Sequence, residues 1–80
     1  MVNVNSSEHK LISLTNREKQ VLTLICKGYT TVQVGQLIHL SPYTIVSHKK
    51  KLLQKFKAKN RVHLGVLAER FGFLRQENVD

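Results

Sequence analysis

The sequence predicts an all-α domain of four short helices. Two Thr-x-x-Glu/Gln boxes, Thr15-Asn16-Arg17-Glu18 and Thr30-Thr31-Val32-Gln33, offer side chains to the amides left unsatisfied at a helix start. Two further strong N-caps, Ser41 before Pro42 and Asn60 before Arg61, mark two more starts. Downstream of each, apolar residues recur at spacings of three and four, the period of a helix with one buried side.

The elements follow in order. Residues 1–13 are polar without sustained periodicity and read as an arm or linker remnant ahead of a domain over 14–74, with 75–80 as a tail. The first helix begins after Thr15, turns Val21, Leu22, Leu24 and Ile25 inward, and stops at Gly28, which accepts the left-handed conformation most residues resist. The second opens after Thr30 and is expected to bury Val34, Leu37 and Ile38. Gly35 inside it is less favourable than Ala by up to about 1 kcal/mol, which calls for a close approach, expected from a neighbouring helix. A tight turn through His39-Leu40-Ser41-Pro42 starts the third helix, about 42–57.

On a wheel of about 100° per residue, Ile45, Leu52 and Phe56 of that third helix cluster within about 40°, with His48 and Lys49 flanking them. The opposite side is Tyr43, Val46, Ser47, Lys50, Lys51, Gln54 and Lys57, a polar, basic and hydroxylated face. The fourth helix runs from Arg61 to about Phe71 and ends at Gly72. Leu64, Ala68 and Phe71 on one side close the core, while Val62, Val66 and Phe73 form a second stripe roughly 150° away. So small a domain has no second core, so this stripe is expected to be a dimer interface on the helix at about 61–73; cover by the arm or by the tail from Leu74 is the plainer reading.

Eighty residues with 41% hydrophobic side chains, four Gly and one Pro are richer in apolar groups than a disordered basic protein, and sufficient for one small core without room for a large catalytic cleft. The net charge is +8, and no acidic residue lies between Glu18 and Glu69. Seven of the thirteen Lys and Arg fall between Lys49 and Arg61, where Leu52, Leu53 and Phe56 show that the charge is mounted on a folded element. A polyanion is the expected partner, although charge alone fits DNA, RNA and anionic lipid equally.

Cys26 is the only cysteine, so it forms neither an internal disulfide nor a Cys-based metal site, and it is expected as a buried thiol in a reducing cytoplasm. No apolar run approaches the roughly 20 residues of a membrane span. The four histidines lack the spacing and neighbours of a zinc site, and His48, beside the core stripe, is expected to be structural. Five carboxylates with no His or Cys partner in a recognisable arrangement, and no Gly-rich phosphate cradle, make catalysis improbable, and no cofactor is expected.

Helix, tight turn and a second helix with an outward basic and hydroxyl face is the layout of a helix-turn-helix, whose second helix fits the major groove of DNA. Through Leu14-Thr15-Asn16-Arg17-Glu18, Val21-Leu22, Gly28, Ser41-Pro42, Thr44-Ile45, His48 and Lys59-Asn60-Arg61, in order and over about residues 13–74, the chain resembles the LuxR-type (GerE-like) helix-turn-helix family. The resemblance implies a four-helix DNA-binding domain of a bacterial transcription regulator, commonly the output domain of a response regulator or ligand-sensing protein, cytoplasmic and dimerising through its fourth helix. Gly35, more usually Ala in the family, and Lys49, where an apolar residue or Arg is common, depart from it.

Carried over by position, the resemblance puts Val46, Ser47 and Lys50 at base edges and Thr44, Lys51 and neighbouring basic residues toward phosphate; the wheel agrees for Val46, Ser47, Lys50 and Lys51. Lys55 and Lys57 are also assigned to phosphate, and Lys49 is expected to pack its stem while its ammonium reaches the rim and a phosphate. The Thr44 hydroxyl also has a local alternative, the backbone of its own helix. Lys27 and Arg61, at helix ends, are candidates for flanking phosphates. Expected partners are double-stranded DNA, a second copy of the chain on that DNA, and RNA polymerase. The rival reading is a protein-interaction adaptor that keeps the fold without reading DNA sequence. RNA is disfavoured because Tyr43 is the only aromatic residue on the outer face, and a membrane surface because the apolar side of the basic helix is needed for the core.

Overall fold

The computed structural model describes residues 12–74, which form helices α1 (Asn16–Cys26), α2 (Thr31–Ile38), α3 (Pro42–Phe56) and α4 (Arg61–Arg70). Among the described residues there is no strand, and the fold is all-α. The polar arm up to residue 11 and the tail from residue 75 lie outside the described residues.

Every helix starts on a side-chain cap. Thr15 and Thr30 head complete capping boxes: each hydroxyl accepts from the amide three residues on, and Glu18 and Gln33 accept in return from the cap amide. The Ser41 and Asn60 side chains accept from the amides of Thr44 and His63, and Pro42 fills the first turn of α3, where its missing N–H costs nothing. The ends are left-handed: Gly28 at φ 104° follows α1, His39 at φ 59° ends α2, Lys57 at φ 56° ends α3 and Gly72 at φ 82° follows α4. For the two non-glycine residues this conformation is sterically strained.

α3 is the centre of the molecule, packed against α1, α2 and α4, whereas α2 and α4 do not touch. One core results, of Val21, Leu22 and Ile25 from α1, Val34 from α2, Ile45, Leu52 and Phe56 from α3, and Leu64 and Ala68 from α4. The inward faces of α3 and α4 follow the wheel, with Phe71 half-buried and stacked on Phe56 at 6.2 Å. Ile12 packs against this core beside Leu14, so the folded part takes in a residue expected to belong to the arm.

The expectations for Leu37 and Phe73 change. Leu37 is 51% exposed, because α2 rests only on α1 and α3 and its buried sector narrows to Val34 and Gly35, with Ile38 half-buried. Phe73 leaves the outer stripe. The wheel treats it as a continuation of α4, but the Gly72 turn brings its amide back to the Ala68 carbonyl at 2.9 Å and its ring edge-on to Phe56 at 5.3 Å. Phe73 is therefore packed against the core, and the exposed stripe shrinks to Val62 and Val66.

Gly35 does mark a close approach, but by turn backbone and not by a helix. Its carbonyl accepts from the Leu40 amide at 2.9 Å, and a Cβ at this position would collide with the Leu40 carbonyl oxygen. Gly35→Ala is therefore expected to destabilise the domain by about 1–2 kcal/mol, the displacement of the turn outweighing the better helix propensity of Ala. Urea melts would check this; a more stable variant would show that the turn yields freely.

Candidate nucleic-acid interface

The turn that Gly35 permits aims α3. Leu40 is tied back to α2, Ser41 caps the next helix two residues after the His39 reversal, and Ile45, Leu52 and Phe56 anchor it on the other three helices. Its outer face is thereby presented to solvent on a rigid support. Tyr43, Val46, Ser47, Lys50, Lys51, Gln54 and Lys57 are all exposed, as the spacing predicts.

Val46 is 42% exposed and lies one turn before the exposed Lys50, with Ser47 beside it, so the three residues assigned to base edges share one surface. The Thr44 side chain is exposed, and its hydroxyl stands 3.1 Å from that of Ser41, a local partner that is a side chain and not the helix backbone. Lys49 is half-buried, with Lys51 and Lys57 exposed. Lys27 is exposed after α1, and the Arg61 guanidinium donates to the Ile25 carbonyl at 3.4 Å, pinning α4 to α1.

Lys55 stands apart from the other lysines. Its ammonium donates to Glu18 Oε1 and to the Ser13 carbonyl, both at 2.8 Å, which joins the end of α3 to the start of α1. The expectation of a phosphate contact from Lys55 gives way to this clasp, because the ammonium already has two acceptors inside the domain. Glu18 is 5% exposed, and its pKa is lowered, first by the Lys55 hydrogen bond and then by the Thr15 amide, with burial opposing. Residues 37 apart make this pair; sequence spacing shows Glu18 as a cap and gives no signal of its second partner.

The electrostatic consequence is a face of one sign. Among the described residues the carboxylates are Glu18 and Glu69; the first is buried and paired, and the second lies on α4. Donors without nearby carboxylates suit phosphate oxygens, while methyls and hydroxyls beside an exposed ammonium suit base edges in a groove.

On α4, Val62 is 77% and Val66 48% exposed. They border a groove between α1 and α4 that is also lined by Ile25, Cys26, Gly65 and Leu74. Cys26 is half-buried there and not fully buried, and desolvation pushes its thiol pKa up while Arg61 pulls the other way. Among the described residues no cluster of His, Cys, Asp or Glu would hold a metal ion, and no helix is long and apolar enough to cross a membrane.

Comparison with known proteins agrees with this geometry. The signature of the GerE family, bacterial regulatory proteins of the luxR family, matches residues 12–68. The chain is 30% identical over 73 residues to the response regulator UvrY of Escherichia coli K12, covering 91% of this chain and 34% of that protein. It is 32% identical over 69 residues to the transcriptional regulatory protein FixJ of Rhizobium meliloti, covering 86% and 34%. To the oxygen regulatory protein NreC of Staphylococcus carnosus it is 32% identical over 60 residues, covering 75% and 28%. The chain thus spans about a third of the length of these relatives. No solved structure matches it significantly.

Proposed function

The chain belongs to the luxR family of bacterial regulatory proteins, a family of regulators and not of catalysts, and we propose that it binds double-stranded DNA sequence-specifically as the output domain of a transcription regulator. The observation that carries this reading is the outer face of α3: exposed lysines, hydroxyls and Val46 on a helix whose other side is locked into the core. An α-helix with its side chains is about 10–12 Å across and fits a major groove about 12 Å wide. In that groove Val46, Ser47 and Lys50 read base edges, the Val46 methyls suiting a thymine methyl and the Lys50 ammonium guanine O6 and N7. Thr44, Lys49, Lys51 and Lys57 serve the phosphates on either side.

Selection from a random duplex pool at near-physiological salt, with sequencing of the bound fraction, tests the reading. Enrichment of a two-fold symmetric site is expected. Retention without enrichment, or no retention, would favour an adaptor that keeps the fold without reading sequence.

Two-fold symmetry is expected because Val62 and Val66 form an exposed apolar stripe on α4, continuous with the groove beside α1. Two valines per copy bury little area, so the pair forms on an inverted repeat and is weak without DNA. Val66→Glu should abolish cooperative binding to such a repeat and leave half-site binding and the helical signal intact. Loss of the helical signal would instead mean that the stripe supports the fold.

A further inference from the structure

His48, on the flank of the core stripe, has the sequence position of a structural histidine, yet its surroundings do not satisfy it. The ring is half-buried, and Nδ1 is buried with no hydrogen-bond partner. The carboxylate close enough to feel a charge there is Glu18, which is already held by Lys55 and the Thr15 amide. In a neutral imidazole one nitrogen carries the proton and the other is an acceptor. A buried N–H without an acceptor is the costlier orphan, so the proton belongs on Nε2, at the edge of the ring that remains accessible.

His48 lines a recess together with Tyr43, Thr44, Ser47 and Lys51. At about 100° per residue these five occupy one sector of α3 about 140° wide, adjoining the sector of Val46 and Lys50. Lys49 and Leu53 fall on the other side of Val46 and Lys50. A helix that fills the major groove has a sugar-phosphate wall on each side, so with Val46 and Lys50 toward the bases the recess faces one wall. Its lining is made of hydroxyls, an ammonium and an imidazole, with no carboxylate.

We propose that His48 is a DNA-contacting residue, donating its Nε2–H to a backbone phosphate seated in this recess, with Lys51 supplying the charge. The contact rests on the DNA reading above. It adds a neutral donor whose direction is set by the buried side of the ring, so it fixes the rotation of α3 in the groove without discriminating between bases.

The test measures binding of wild type, His48→Leu and His48→Gln to the selected duplex and to unrelated duplexes at mildly alkaline pH. His48→Leu is expected to weaken all duplexes alike by about 3- to 10-fold with an unchanged salt slope, because no cation is removed; His48→Gln, which keeps a donor near Nε2, should stay within about twofold of wild type. Replacing single phosphates by neutral methylphosphonates should reveal one position that weakens wild type but not His48→Leu. If His48→Leu does not fold, imidazole 15N spectra of wild type decide: the Nε2–H tautomer is expected, with its proton protected from exchange when duplex is added. An Nδ1–H tautomer, an Nε2 proton indifferent to duplex, or a folded His48→Leu with wild-type affinity overturns the contact while leaving the DNA reading in place. A wild-type chain that binds no duplex removes both.

Discussion

Glu18→Ala is expected to cost the domain about 2–3 kcal/mol, against a total of roughly 4–12 kcal/mol for a chain of this length. Three losses combine. The Thr15 amide gives up its 3.0 Å bond to Oε1, half of the capping box that starts α1. The Lys55 ammonium loses its partner at 2.8 Å. The joint between α1, α3 and the residue before Leu14 is left with the Ser13 carbonyl alone. The cost stays below the roughly 3–5 kcal/mol typical of a severed buried pair because the Lys55 side chain is about a third exposed and water takes up part of the charge.

Lys55→Met should cost less, about 1 kcal/mol, since Glu18 keeps the Thr15 amide. A double-mutant cycle by urea denaturation separates pair from cap, and a loss under 1 kcal/mol for Glu18→Ala would mean that the clasp contributes little. Lys55→Met should also leave the salt slope of DNA binding unchanged; a drop of about one would return Lys55 to the phosphate contacts.

The same pair predicts the acid limb. Because the Glu18 pKa is depressed in the folded state, its contribution is complete above the unfolded value, about 4.3, and is lost as pH falls below that through the folded value. Wild type should therefore lose stability more steeply than Glu18→Gln below about pH 4.3. Parallel curves would contradict the assignment.

Lys50→Ala is expected to cost about 1–3 kcal/mol in DNA binding and to relax preference at one base position. Its neighbour Lys51 provides the contrast. Both side chains are exposed on α3, but Lys50 follows Val46 by one turn, whereas Lys51 shares the recess with Thr44 and His48. Lys51→Ala should weaken all sequences alike and lower the salt slope by about one, the signature of a single released counterion. Repeating the selection with each variant distinguishes them. Equal losses on every duplex for Lys50→Ala would place it at phosphate as well and leave Val46 and Ser47 to carry the specificity.

What could be read directly from the chain was local. The four helix starts are bonds between a side chain and an amide three residues away, so Thr15, Thr30, Ser41 and Asn60 announce them before any tertiary contact exists. The outer face of α3 was equally legible, because a helix with one apolar stripe has only one way to face a core, and the charge around Lys50 must then point to water. Assembly of the helices settled the rest. Phe73 was drawn inward because the Gly72 turn, and not the α4 period, sets its direction; Leu37 was left outside because α2 has two neighbours and not three. Lys55 became a clasp because its acceptors come from chain segments far away in sequence, and His48 Nδ1 was left buried without a partner. Spacing reports which side of a helix a residue occupies, while the partner waiting on that side depends on how the helices meet.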